Sequence, residues 1–577
     1  MSSIFGIIHN DEMDGEIVRN KMETMCELTK HRGFNQKDMA LYRKVALGVN
    51  SLFETDKQRT IGFANDCYCI LHGTIVNFNN FTDDICSTEC SSSAFSFLYA
   101  KYGSDFVKKL SGAFVLAIYD EKDNSLHLWR DQLGVELLYY YHQGNTLIFA
   151  TEIKAIYSIL DEKPAISFSA LDDILRYRVV YSDNDTVFVQ IKKVMPGEHV
   201  IFKNGNVKRD QYWELEANAQ HIDKTNKQKQ ADVEEFTELF EKVMKQYLKG
   251  EVFGGFFTSG GLDSSLINAA SFQLGSKNYT QPITMRFSPN PVSDEEYCLM
   301  LEKIFNVKFE WVDLTDEIAR KTLVEISTFQ DEPVEAPGQI GTYLMAQRAR
   351  ELGIKSIITG DGSDEIFLGY YRYTIWENTT DKRRYNSLIR TMSSVDADFI
   401  YNDTAKEALN SKKYAPEQVK NIDEALVYER RFHFPQNHGA RLDIMTMANG
   451  IEVRTPLLDN RIVEFTFKLS TKELLGGIGK RFLKSVAAKY LPQNLIHRNK
   501  QVFPSLPSQW LRDSGIAFAK EILLDSSSYS SRFFKKDALE DLINKHASGE
   551  RDIGRALWGI MTVDLWYENL KNWNIKL

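Results

Sequence analysis

Phe253-Gly-Gly-Phe-Phe-Thr258 runs straight into Ser259-Gly260-Gly261-Leu262-Asp263-Ser264-Ser265, and an apolar helical pattern follows. The first stretch is short, apolar and aromatic, which reads as a buried strand. Two glycines let the backbone approach a ligand closely and take conformations other residues avoid. The helix that follows presents unpaired N–H groups and a partial positive charge, a seat for phosphate or pyrophosphate. Thr258 at the strand end and the hydroxyls of Ser259, Ser264 and Ser265 add donors. Asp263 would repel phosphate unless a cation lay between them, so it is read as a Mg²⁺ ligand. A plain Gly-Gly turn would need neither the serines nor the acid.

A second junction repeats the pattern. Ser356-Ile-Ile-Thr359 reads as a strand and leads into Gly360-Asp361-Gly362-Ser363-Asp364-Glu365. A Gly-rich acidic loop at the carboxyl end of a strand is where a parallel sheet binds ligands. Asp364 is the second candidate metal ligand, and Asp361 a candidate base near the phosphates. No Gly-x4-Gly-Lys-Ser/Thr run exists, so the site is not of the Walker type. The first loop resembles instead the pyrophosphate loop of ATP pyrophosphatases, enzymes that split ATP to AMP and pyrophosphate.

Outward from these loops, strand-like runs at Gln281–Phe287 and Lys308–Val312 alternate with helical stretches from Ser264 and Asp294. That βαβα alternation predicts a parallel sheet covered by helices. Beyond about Asp381 the pattern is mainly helical. The first ~210 residues differ: short β-branched and aromatic segments bounded by Gly, Asn or Asp predict packed sheets, with helices near Met13–Lys30 and Ser93–Leu110. Glu216–Asp232 is polar, Lys/Gln-rich and almost free of apolar residues, as a linker would be. The reading is a two-domain α/β chain: residues 1–215, a linker at 216–232, and a synthetase domain at 233–577.

A chain of 577 residues is too long for one core. Its 43% hydrophobic and 26% charged residues suit a globular enzyme. A net charge of −9 with no basic domain excludes a nucleic-acid footprint. No basic-then-apolar leader and no ~20-residue apolar run are found, so a cytoplasmic protein without a membrane span is expected. Cys67, Cys69, Cys86 and Cys90 lie close together, but Cys-x-Cys with Cys-x3-Cys lacks the usual zinc spacing, and free thiols are expected.

With further motifs in order, the chain resembles the asparagine synthetase family over nearly its whole length. The second half carries the two loops, Asp331-Glu-Pro333, Gly369-Tyr370 and Glu452-Val-Arg454-Thr-Pro-Leu-Leu-Asp459. The first half carries Ile4-Phe-Gly6, His31-Arg-Gly33, Leu110–Phe114, Arg130–Gly134 and Phe149–Lys154. The resemblance implies an N-terminal-nucleophile-type αββα sandwich that frees ammonia from glutamine. It also implies an ATP-pyrophosphatase-like parallel-sheet domain with a helical tail that adenylates a carboxylate for the ammonia to attack. ATP and Mg²⁺ are the implied cofactors. Ser259, Gly260, Gly261, Asp263, Ser264 and Ser265 would hold pyrophosphate and metal, Met285 would border the adenine, and Thr359 and Gly360 would line the nucleotide. Lys500, in Arg498-Asn-Lys-Gln-Val-Phe-Pro504, looks like the family lysine that stabilises charge on the acyl group and pyrophosphate.

The glutaminase half departs from the pattern. The family cysteine after the initiator Met is Ser2. The arginine that clamps the glutamine carboxylate falls at Ser51, within Leu47-Gly48-Val49-Asn50-Ser51-Leu52. The Asn-Gly-Glu that supplies the oxyanion donor and amine contact is His72-Gly73-Thr74, and a further acidic position falls at about Ser91. Each lost charge-assisted bond removes about 1.5–3 kcal/mol of glutamine binding. Domain 1–215 is therefore expected to be an inactive remnant, reused for substrate or partner docking, with His72 as a packed or surface histidine.

The nitrogen is then expected to arrive on the substrate, as in the family branches of β-lactam synthetases and lasso-peptide cyclases. The β-lactam branch has a tyrosine where this chain has Asp361. The leading expectation is an ATP-dependent amide synthetase, such as a peptide cyclase acting on a precursor peptide beside a pathway protease. The alternatives are an asparagine synthetase-like enzyme using external ammonia and a non-catalytic assembly protein. Tyr370–Tyr414 and Val427–Ala440 are where the acyl substrate is expected to bind. Glu332, Glu365 and Glu429 stay open beside Asp361 as bases, and the oligomeric state stays open, a homodimer among the options.

Overall fold

The computed structural model describes residues 2–52, 60–81, 92–215, 224–249, 253–276, 278–287, 294–377, 388–410, 422–476, 479–498 and 506–573. Strands β1 (Ser2–His9), β2 (Gln36–Leu41), β3 (Val45–Ser51), β4 (Gly62–Ala64), β5 (Cys67–Ile75) and β6 (Gly112–Asp120) open the chain. They are followed by β7 (Ser125–Arg130), β8 (Tyr139–Gln143), β9 (Thr146–Ala150), β10 (Ile191–Lys193), β11 (Glu198–Lys203) and β12 (Asn206–Gln211). They form two six-stranded sheets, in the orders β10-β8-β9-β1-β3-β2 and β12-β11-β7-β6-β5-β4. Ile4, Leu47, Tyr68, Val115 and Leu128 fill the space between the sheets. Helices Gly15–Thr29 and Ile153–Ile159 cover one outer face, and Ser92–Tyr102 covers the other. This is the expected αββα sandwich.

The second half is built on β13 (Gly254–Phe257), β14 (Tyr279–Phe287), β15 (Glu310–Leu314), β16 (Ser356–Ile358) and β17 (Glu452–Arg454). All pairs are parallel, in the order β15-β14-β13-β16-β17. The chain leaves β13 to one side for β14 and β15, then returns to its other side as β16. The order therefore reverses between β13 and β16, and a crevice opens at their carboxyl ends, the usual ligand position in such sheets. Both glycine loops of the sequence begin there. Strand β17, three residues long, was too short to show a period in the sequence.

Part of the expected linker differs. Residues 216–223 lie outside the described residues, but Asn226–Asp232 opens a helix, Asn226–Tyr247. Thr225 and Gln228 close a capping box at its start, which stabilises a polar first turn that lacks an apolar face. One hydrophobic cluster joins the halves, from Phe5, Ile156 and Ile174 to Leu557, Trp558 and Trp566 of the last long helix, Gly554–Leu570. The halves thus share a core and hold each other's sites in register.

Candidate active site at the carboxyl edge of the parallel sheet

The first loop is shaped by its own hydroxyls. Ser259 N–H donates to Ser264 Oγ (3.1 Å) and Gly261 N–H to Ser259 Oγ (3.2 Å). Gly260 takes φ +69°, a left-handed conformation that suits glycine. Helix Leu262–Gln273 then starts on Gly261, which has no side chain to cap it, so its first N–H groups face the crevice. Thr258 is buried, with Asn268 Nδ2–H donating to its Oγ1 (3.0 Å). Ser265 is fully buried, its N–H bonded to Gly261 O (3.0 Å).

The second loop lies against the first. A Cβ on Gly360 would fall 2.8 Å from the Asp263 carbonyl carbon and 2.9 Å from Ser264 N. Only glycine permits that approach, which brings the acids of both loops together. Asp263 accepts from Ser363 Oγ (2.7 Å) and from Lys480 Nζ (2.5 Å), and Lys480 Nζ is 2.8 Å from Asp364. Burial opposes the Lys480 charge, but Asp263 and Asp364 outweigh it and raise its pKa above the ordinary lysine value. Two carboxylates converging on one ammonium, with a hydroxyl beside them, are a hard-oxygen set that fits Mg²⁺.

Lys480 was not singled out in the sequence. Lys500, which was, lies outside the described residues. Asp361 is held by Thr359, whose hydroxyl bonds its carboxylate, and by Arg441 (2.9 Å). Met285 packs at the carboxyl end of β14 on helix Gln339–Glu351, where a Cβ on Gly341 would meet its Cε at 2.6 Å. The three other acids have partners. Glu365 accepts from Tyr370 OH (2.6 Å) and lies 3.1 Å from His438. Glu429 is paired with Arg372 (2.8 Å), and Glu332 with Lys193 (3.0 Å).

A second polar cluster sits at the amidotransferase-like end. Ser2 Oγ is 3.4 Å from His72 Nδ1, and His72 Nε2 is 2.6 Å from Glu136. Arg32 donates to Asp443 (2.6 Å) and Glu152 (3.2 Å), and its guanidinium lies 3.3 Å from His72 Nε2. Glu152 also pairs with His31 (2.9 Å) and Lys154 (3.0 Å). Burial alone would raise the Glu152 pKa, but His31, Lys154 and Arg32 hold it well below the usual carboxylate range. His72 is thus a buried, paired group and not a surface one. Ser51 lies opposite Ser2 in the β1–β3 pair. Thr74 Oγ donates across to Glu452 of β17 (2.6 Å). Ser91, Cys86 and Cys90 lie outside the described residues, and Cys67 and Cys69 are buried on β5. His72, Glu136 and Asp443 are close enough to hold a metal.

Fold and site together define an ATP-dependent carbon–nitrogen ligase joined to an amidotransferase-type sandwich. A sequence model described as asparagine synthase matches residues 235–568, and one described as glutamine amidotransferase domain matches residues 1–213. The chain belongs to the asparagine synthase family. It is 23% identical to asparagine synthetase [glutamine-hydrolyzing] 1 of Bacillus subtilis (strain 168), over 95% of this chain and 93% of that one. It is 25% identical to asparagine synthetase [glutamine-hydrolyzing] 3 of the same strain, over 72% of each. It is also 25% identical to amidase chry2 of Gibberella zeae, over 62% of this chain and 56% of that one.

Proposed function

We propose that the chain adenylates a substrate carboxylate and converts it to an amide without hydrolysing glutamine. The observation that carries this reading is the convergence of Asp263 and Asp364 on Lys480 beside the Ser259–Ser265 loop. In the first step a carboxylate oxygen attacks the α-phosphorus of ATP and pyrophosphate leaves. In the second an amine attacks the acyl carbon, its proton passes to a base, and AMP leaves. Thr258–Ser265 would hold the pyrophosphate, and Met285, Thr359 and Gly360 would line the nucleotide. Asp263 and Asp364 would bind Mg²⁺, which screens phosphate charge. Lys480 would bring positive charge to the phosphates beside Asp263 and Asp364, and Lys500 would stabilise charge on the acyl oxygen and pyrophosphate. Asp361, held by Thr359 and Arg441, would be the base.

The loss of glutamine chemistry is supported by what fills the sandwich end. Ser2, Ser51 and His72 are each at most 1% exposed, and no guanidinium stands at Ser51. The amine would then be carried by the substrate, as in closing an isopeptide ring on a precursor peptide with a protease as pathway partner. No described helix is long and apolar enough to cross a membrane. A second reading, an asparagine synthetase-like enzyme fed by external ammonia, is favoured by the match over both halves. Pyrophosphate release with candidate carboxylates tests the first step, and Asp263→Ala should abolish it. Asparagine formed from aspartate, ATP and an ammonium salt would select the second reading. A peptide substrate consumed without ammonium would select the first.

A further inference from the structure

The buried cluster at the sandwich end brings metal-ligand types together from both halves of the chain. His72 stands on β5, Glu136 between β7 and β8, and Asp443 on helix Gly439–Met447 of the second half. One side-chain atom of each lies within 4.8 Å of those of the other two, and the residues are 0%, 1% and 3% exposed. Each is held from behind. Asp131 accepts from Glu136 N–H (3.0 Å), and Arg130 Nε donates to the Glu136 carbonyl (2.5 Å). His72 Nδ1 faces Ser2 Oγ at 3.4 Å, and Ser2 Oγ donates onward to Leu71 O (3.4 Å). With its Nδ1–H given to Ser2, His72 turns the Nε2 lone pair toward Glu136 Oε2, 2.6 Å away. Two acceptors at that distance need a proton or a metal ion between them. A metal-bound histidine is usually fixed in this way, through a hydrogen bond from its other nitrogen. Asp443 puts Oδ1 on Arg32 (2.6 Å), and its buried Oδ2 has no hydrogen bond among the described residues.

Each charge here has a neighbour, but the sum does not balance. Glu136, Asp443, Glu152 and Asp331 are four buried carboxylates joined through shared partners, and Arg32 and Lys154 are the two fixed cations among them. Burial holds His31 below its ordinary pKa, so it adds no full charge near neutral pH. Burial raises the pKa of Asp443 and of Asp331, and Arg32 and Lys154 offset that only in part. With four carboxylates ionised against two cations, the excess is two negative charges, which one divalent ion offsets.

We propose that His72, Glu136 and Asp443 bind a divalent transition-metal ion of the zinc type, which straps the sandwich to the second half of the chain. One imidazole with two carboxylates suits Zn²⁺. Two bonds of ~2.0 Å at a tetrahedral angle span about 3.3 Å, so the His72–Glu136 pair opens from 2.6 Å to admit the ion. All three ligands are buried, so the ion is structural and not catalytic. The strap is independent of the ligase reading.

The test is calorimetric titration of the full chain with Zn²⁺, in excess Mg²⁺ that competes at the sheet-edge acids. One Zn²⁺ per chain should bind and raise the melting temperature. Co²⁺ bound to the native chain should show a ligand-field band without thiolate charge transfer, a readout that needs no variant. His72→Gln and, separately, Glu136→Gln should weaken Zn²⁺ binding by about 10²-fold or more. Ser2→Ala removes only the support of Nδ1 and should weaken it by about tenfold. Binding kept in His72→Gln and Glu136→Gln but lost when Cys67→Ser and Cys69→Ser are combined would put the ion on thiols and overturn the proposal. A native chain that binds no Zn²⁺ would overturn it as well, and leave protons to balance the buried carboxylates.

Discussion

The two polar clusters differ in one respect that decides their chemistry. At the sandwich end, Arg32, His72, Glu136, Glu152 and Asp443 have side chains at most 4% exposed, and each charge is answered by a neighbour. At the parallel-sheet edge, Asp263, Asp361 and Asp364 keep 21%, 29% and 22% of their side-chain surface and face an open crevice. A buried network of paired charges holds domains together. An accessible set of acids beside free helix N–H groups binds ligands. The buried cluster bridges the two halves of the chain, and the acids at the sheet edge stay accessible.

The largest effect expected from breaking this contrast is at the open site. Asp263→Ala should lower ATP-dependent pyrophosphate release by about 10³-fold or more, since it removes a metal ligand and the Lys480 partner. Ser2→Ala should leave that rate unchanged. Lys480→Met should lower kcat by about 10²–10³-fold with little change in the KM for ATP, as expected for a group that acts on developing charge. Steady-state pyrophosphate assays separate these outcomes, and an equal loss for Ser2→Ala would erase the distinction between the clusters.

At the closed site the effect should be on stability. Arg32→Met leaves Asp443 and Glu152 buried without their guanidinium and should cost about 3–5 kcal/mol. Denaturant melts should show both halves weakened together, because Arg32 bridges from the sandwich to Asp443 in the second half. Separate transitions, with the parallel-sheet half unaffected, would contradict a clamp.

The smallest effect is a pH response confined to the sandwich. His127 Nδ1 lies 2.9 Å from His199 Nε2, and the rings stack beside Trp129. Burial lowers His127 to about 4 and His199 to about 3, against about 6.5 when unfolded. Below pH 6.5 the unfolded chain therefore binds more protons than the folded one. Stability is full above pH 6.5 and falls as pH drops toward 4, by up to about 3 kcal/mol for each histidine. His127→Gln should flatten that part of the melting profile.

Much of the open site was legible because its cause is local. Glycines, serines and acids after a short apolar strand have one physical use in Ser259–Ser265 and Gly360–Asp364, and the structure places them side by side. Lys480 was not legible, since it reaches Asp263 from 217 positions away in left-handed backbone at φ +55°. Lys500, given by the family resemblance, lies outside the described residues. The segment Val427–Ala440 was singled out as substrate-binding, but its π-helix follows neither the 3.6 nor the 2 period and had no signature. The departures at Ser2, Ser51 and His72 were legible as sequence, whereas the contacts to Asp443 and Glu452 were not, because those partners are remote in the chain.

The most direct test of the contrast is to incubate the native chain, Ser2 in place, with ATP, Mg²⁺, its carboxylate substrate and glutamine labelled with ¹⁵N at the amide. The account predicts pyrophosphate release with no labelled product and no glutamate above background. Glutamate formed in step with pyrophosphate, with ¹⁵N in the amide, would contradict it.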